Sequence, residues 1–336
     1  MEKRLIKSLL LLFVIVLASC SVSRISYGNV SVPEEGGVSF LQITNDADNV
    51  AEPGVRRNIL LSQGNRPNLE WWINPMIAVS PDGSKIAYIN AKNSMRNIMV
   101  KSSKSGGASI QRTFRNFVTD FSWSLDGKTI CFTENRNGHS GIYLVAADQG
   151  SIVKQISNGL SNDYAGVISP DGNFIFFHRG EGGYDNYGLW SFDKKTNLFS
   201  NYSRGMTPCL IPQSNNVIYC SRYTERKECE IWRINFETAV EEVLLSQTGK
   251  SFTMPKLSPD GKWILCTGNS ITPTKIQNTD IFVVRTDGTM FTQLTFHPGN
   301  DLSAVWDPNG KNIYFLSQRG SKDGKYNVWK MDFNLE

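Results

Sequence analysis

The stretch SPDGSKIAYIN, residues 80–90, couples a tight turn to a strand. Proline presets φ, aspartate bonds its own backbone and glycine takes a positive φ, so the first four residues reverse the chain. The remainder, with two isoleucines and a tyrosine, is β-rich. Five relatives recur: SLDGKTICFTE from Ser124, SPDGNFIFFHR from Ser169, IPQSNNVIYCS from Ile211, SPDGKWILCTG from Ser258 and DPNGKNIYFLS from Asp307. The six copies are spaced 42 to 49 residues apart. Ile86, Ile130, Ile175, Val217, Ile264 and Ile313 share one column; Tyr88, Phe132, Phe177, Tyr219, Cys266 and Phe315 stand two residues on. The intervening positions are often apolar as well, which predicts strands buried on both faces.

A third column recurs once per copy, in the pairs Ile98–Met99, Ile142–Tyr143, Leu189–Trp190, Ile231–Trp232, Ile281–Phe282 and Val328–Trp329. Each pair opens a further strand, followed by a turn and a fourth strand such as MFTQLT. A period of this length built from four short antiparallel strands predicts a β-propeller blade. The sixth copy stops at its third strand, NVWKMDFNLE. The missing fourth strand stands at the other end of the chain: GGVSFLQITNDADN, residues 36–49, matches QGSIVKQISNGLSN, residues 149–162, and DGTMFTQLTFHPGN, residues 287–300. The sequence therefore predicts one all-β domain over residues 38–336. It is a six-bladed β-propeller of four-stranded antiparallel blades, its ring closed by the N-terminal strand, which leaves no exposed edge at the seam.

The segments SPDGKWILCTG, AVWDPNGKNIYFLSQRG and TDGTMFTQLT resemble the repeats of TolB-type propellers, and such motifs cover nearly the whole chain after its leader. The resemblance implies a binding propeller of the periplasm. TolB-type proteins carry a further α/β domain before the propeller, which this chain is expected to lack. The repeats speak to fold and leave function to the site.

Ahead of the propeller, MEKRLIK followed by SLLLLFVIVLAS reads as a signal peptide, residues 1–19; the apolar run is short for a membrane span. It ends in LASC, whose leucine, two small residues and cysteine resemble the lipobox of bacterial lipoproteins, implying lipidation at Cys20. Residues 20–37 read as a polar tether. Ser21 after the cysteine points to an outer-membrane anchor facing the periplasm. Without the leader, 32 basic residues face 30 acidic ones and no charge block stands out, so nucleic-acid binding has no support.

In a propeller, the turns between strands two and three share one face with the connections between blades, and the Pro-Asp-Gly turns lie on the other. The first face collects the expected partner-binding residues: Arg136, His178, Arg179, Tyr184, Asp185, Tyr187, Arg222, Tyr223 and Arg319. Arginine with tyrosine suits a protein or glycan contact. Arg136 and Arg319 also fall at a repeat position, which suits hydrogen bonding within the fold. The connection after residue 45 is about two dozen residues longer than its counterparts; it holds Arg56, Arg57, Arg66, Trp71 and Trp72 and is expected to border the channel.

No phosphate loop, nucleophile elbow or cofactor motif occurs. The three histidines, His139, His178 and His297, lack metal-ligand spacing, so no catalytic residue, metal or cofactor is expected. Of the cysteines, Cys131 and Cys266 fall in apolar strand columns. Cys209, Cys220 and Cys229 are placed near-symmetrically about two turns, and an exported chain can oxidise them, leaving room for Cys209–Cys220 or Cys220–Cys229 but not both. The expected role is a non-catalytic, lipid-anchored scaffold that binds an envelope protein through its loop face. The alternative is a propeller enzyme or glycan-binding protein acting on a polysaccharide or small ligand at the central channel.

Overall fold

The computed structural model describes residues 24–27, 30–33, 38–53, 75–114, 117–136, 138–150, 153–157, 161–180, 187–225, 228–271 and 276–335. Six antiparallel sheets of four strands each form the six blades. Their first strands are Ile77–Val79, Val118–Trp123, Asn162–Ile168, Met206–Ile211, Lys250–Leu257 and Asp301–Trp306. Each first strand touches the first strand of the next blade, the sixth returning to the first, so these strands ring a central channel.

The repeated turn holds itself together. Ser80 Oγ donates to the Asp82 carboxylate and accepts the Lys85 N–H, while the same carboxylate accepts the Ser84 N–H. Gly83 sits at φ +71°. Ser124 with Asp126, Ser169 with Asp171 and Ser258 with Asp260 repeat the pattern. In blade six Asp307 takes the serine's place and accepts from the N–H groups of Lys311 and Asn312. In blade four neither aspartate nor glycine is present, and Ile211 pairs directly with Ser214. The turns also stack around the ring. A Cβ on Gly83 would lie 3.3 Å from Pro308 of the preceding blade.

The Gln-x-Thr/Ser ending of the fourth strand has an equally local cause. Thr113, Ser157 and Thr295 accept the N–H of Ile98, Ile142 and Ile281 at 2.9 Å each, binding strand four to strand three. Gln111, Gln155 and Gln293 fold over to the carbonyl of that same Thr or Ser. Both strand-two columns are buried in all six blades, and the core lies between blades: Phe176 and Leu189 of blade three pack with Ile218, Cys220 and Ile234 of blade four.

Ring closure follows the expected seam. Phe40–Gln42 is the fourth strand of the last blade and pairs with Asn327–Asp332, Phe40 opposite Met331 and Gln42 opposite Trp329. The Ile43 N–H continues the ladder to the Val328 carbonyl at 2.9 Å. The stretch expected to be a plain tether contains a two-stranded hairpin, Arg24–Tyr27 against Val30–Pro33.

Most first strands depart from regularity. Their pairing with strand two shifts register, and Ala165, Thr207, Met254 and Ser303 take left-handed conformations at φ of 53°, 50°, 54° and 57°. Such bulges bend a strand and re-aim its backbone. Here three of the re-aimed N–H groups reach the previous blade: Ala165 to Asp120 at 3.0 Å, Thr207 to His178 Nδ1 at 3.2 Å and Ser303 to Thr267 at 3.1 Å.

Candidate functional site

The face expected to carry binding residues divides sharply. Arg319 is fully buried: its Nη2 donates to Asp301 at 2.6 Å and its guanidinium lies 4.0 Å from the Phe40 ring centre. Arg179 makes a bidentate pair with buried Asp163, at 2.7 and 3.0 Å, and stacks over Trp190 at 4.5 Å. Arg136 is exposed and pairs with Glu134 at 3.2 Å. Arg319 and Arg179 therefore tie the end of strand two to strand one of the same blade, while Arg136 pairs within its own strand.

His178 is likewise interior. It stacks on Tyr164 at 5.4 Å, meets Tyr187 edge-on at 5.3 Å and accepts the Thr207 N–H. Burial pushes its imidazole down to about 3 from 6.5. Burial pushes the Asp120 carboxyl the other way, up to about 6 from 3.8, against the bonds from Thr133, Thr119 and Ala165.

The signs are opposite. His178 stays neutral in the folded state, so stability is lost as pH falls from about 6.5 toward about 3. Asp120 holds a proton more readily when folded, so stability is gained as pH falls from about 6 toward 3.8. At 1.36 kcal/mol per unit, the loss from His178 at pH 5 is ~2 kcal/mol and the gain from Asp120 ~1.4 kcal/mol. Wild-type stability should change little between pH 7 and 5 on their account, whereas His178→Gln should gain ~1 kcal/mol over that interval. Urea titrations at the two pH values check this. A His178→Gln profile parallel to wild type would place the protonation elsewhere.

The structure does bring three expected residues together. Tyr187, Arg222 and Tyr223 line a shallow recess with Arg204, Met206 and Ser221. Arg222 is held flat over Trp232 at 4.2 Å, bonded to Glu241 at 2.9 Å, to Ser203 Oγ and to the Arg204 carbonyl. Arg56, Arg57, Arg66, Trp71, Trp72, Tyr184, Asp185 and Cys20 lie outside the described residues. The two ends of the long connection are placed on blade one, and one of them reaches a channel-lining strand. Val50 bridges to Asn90, and the Met76 N–H donates to Ser303 of blade six at 2.8 Å.

The disulfide that the sequence left open is not present. Cys131, Cys209, Cys220, Cys229 and Cys266 are buried, reduced thiols. Register explains it: Cys220 pairs with Trp232 and Cys229 with Tyr223, while Cys209 pairs with Tyr219. An odd offset, one residue for Cys209 against Cys220 and three for Cys220 against Cys229, turns the side chains to opposite sheet faces, and the three thiols join three different core clusters.

A larger cavity lies elsewhere among the described residues, in the channel at the Pro-Asp-Gly end. It has a volume of about 420 Å³ and is lined by all six first strands. Three stacked rings make its wall. The residues two places before the turn are Ala78, Ser122, Val167, Cys209, Lys256 and Val305; the next are Val79, Trp123, Ile168, Leu210, Leu257 and Trp306. At the mouth stand Pro81, Leu125, Pro170, Pro212, Pro259 and Pro308. Trp306 is fixed by its Nε1–H to the Lys256 carbonyl at 2.9 Å, and Trp123 by its Nε1–H to the Gly127 carbonyl. Sequence reasoning passed over this funnel. The legible signal was one lysine in a column of otherwise small or apolar residues. Among the described residues, no group of three His, Cys, Asp or Glu side chains is placed to hold a metal.

The sequence profile described as PD40, the TolB beta propeller domain, matches residues 70–186 and 193–335. A protein TolB homolog of Chlorobium luteolum is 25% identical over 197 residues, 58% of this chain and 33% of the relative, so the chain spans about a third of that relative's length. Among solved structures, a putative TolB from Agrobacterium tumefaciens superposes with a TM-score of 0.59 at 17% identity, covering 79% of this chain and 91% of its own. An oligogalacturonate lyase from Vibrio parahaemolyticus superposes with a TM-score of 0.57 at 10% identity, covering 93% and 96%. At these identities the structures share a fold with this chain.

Proposed function

The chain belongs to the TolB beta propeller family, and from that premise we propose that it is a non-catalytic scaffold of the cell envelope that binds a protein partner. Lipidation at Cys20 would fix it to the outer membrane, with residues 20–37 as the spacer and the propeller facing the periplasm. The observation that carries the reading is the recess of Tyr187, Arg222 and Tyr223. Tyrosine and arginine dominate the energetics of protein contacts. The Arg222 side chain is 13% exposed and already immobilised by its partners, so little conformational entropy remains to be lost on binding.

Photo-crosslinking in intact cells tests it, with the probe placed at Tyr223 and, as a control, at Val240 on an outer strand. One envelope protein recurring at Tyr223 and absent at Val240 is the expected result. Arg222→Ala should then weaken that partner by at least ten-fold, about 1.4 kcal/mol. The same capture profile at both positions would sink the reading.

A further inference from the structure

We propose that the central funnel binds a small amphiphilic monocarboxylate, its carboxylate received by Lys256 and its hydrocarbon body lying against the tryptophan and proline rings. This does not rest on the loop-face reading, which concerns the opposite end of the ring.

The lining selects the ligand class by elimination. Its volume falls within the range of small-molecule sites, which are mostly apolar with a few placed polar groups. Most of its polar side chains are already engaged. Ser80 serves its own turn, Ser122 Oγ donates to the Gly166 carbonyl at 2.6 Å, and Asp307 holds two backbone N–H groups and the Asn312 amide. The Cys209 sulfur accepts the Leu257 N–H. That leaves no surplus of hydroxyls and amides to read a sugar. A single cation is too little for a nucleotide or polyphosphate, which calls for several donors.

Lys256 is the exception. It is partly buried, and among the described residues its amine makes no hydrogen bond or ion pair. Asp120 of the opposite blade is close enough to sense its charge, but that carboxylate is spent on Thr133, Thr119 and the Ala165 N–H. An amine held among apolar groups costs free energy until a counter-charge arrives. Burial lowers its basicity accordingly. One carboxylate satisfies it, and the remaining wall asks for hydrocarbon.

Calorimetric titration of the full-length protein with octanoate, octanol and octylamine tests the proposal. Octanoate should bind saturably at one site, at least ten-fold tighter than octanol, with octylamine weaker still. Lys256→Met, which keeps the length and packing of the side chain, should abolish the preference for octanoate and leave octanol binding unchanged. Val167→Phe, which narrows the funnel from another blade, should weaken octanoate and octanol together. Octanoate binding no tighter than octanol, no saturable binding of either, or full affinity in Lys256→Met would each overturn the assignment.

Discussion

Asp301→Ala is expected to lower the free energy of unfolding by about 3–5 kcal/mol, among the largest effects of any single change in this chain. Both partners of the Arg319–Asp301 pair are completely buried, at 2.6 Å. The guanidinium is committed further: Nε donates to Ser317 Oγ at 2.9 Å, and its faces lie against Phe40 and Phe315. Removing the carboxylate strands a charge that cannot reach water, and the cost is the desolvation that the pair had offset. The pair as a whole is another matter. The double change Asp301→Leu with Arg319→Met removes both charges and should recover most of the loss. Urea unfolding of the three proteins makes the comparison. A single variant within 1 kcal/mol of wild type would show that Arg319 finds another partner or an escape to solvent.

Phe40→Ala should cost a comparable ~3–5 kcal/mol. Phe40 is 1% exposed in a three-residue strand, and it packs on Phe315 edge-to-face at 6.2 Å, under Arg319 and among Trp329 and Met331. It is the main apolar anchor of the closing strand, so its loss weakens the seam as well as the core. The neighbouring Leu41 is only partly buried, and Leu41→Ala should cost much less. A chain starting at Asn45 lacks the strand altogether. Residues 327–332 would then present an unpaired edge, and self-association by light scattering is expected. A monomeric, fully stable truncated chain would show that the ring does not need this closure.

Much of this was legible in residue order because its causes are local. The Ser-Pro-Asp-Gly turn and its variants are written in side chains that bond their own backbone within five residues, so five such turns, with the strand columns of blade four, announced six hairpins. The Gln-x-Thr ending binds strand four to strand three, and its presence in Gln42–Ile43–Thr44 identified the N-terminal strand as the piece missing from the last blade. The role of Arg319 was half visible, because a repeat position suggested bonding within the fold. Its complete burial was not, since that depends on Phe40 arriving from a position 279 residues earlier.

The cysteines show where linear reasoning stops. Symmetry about a turn assumes an unshifted ladder and a known centre; the register shift between Leu210 and Ile211 breaks the first for Cys209 and Cys220, and the pairing of Tyr223 with Cys229 sets a different centre for Cys220 and Cys229. The funnel shows the same limit from the other side. Ala78, Ser122, Val167, Cys209, Lys256 and Val305 are 42 to 49 residues apart, and nothing local distinguishes a strand wall facing a channel from one facing a sheet. By itself, then, the amino-acid order determined the blade, the number of blades and the strand that closes them, because turn chemistry and periodicity act over a few residues. Which arginines are spent inside, which thiols stay apart and where one lysine meets an apolar cavity were decided only in the closed ring, because burial and charge depend on which blades come to face one another.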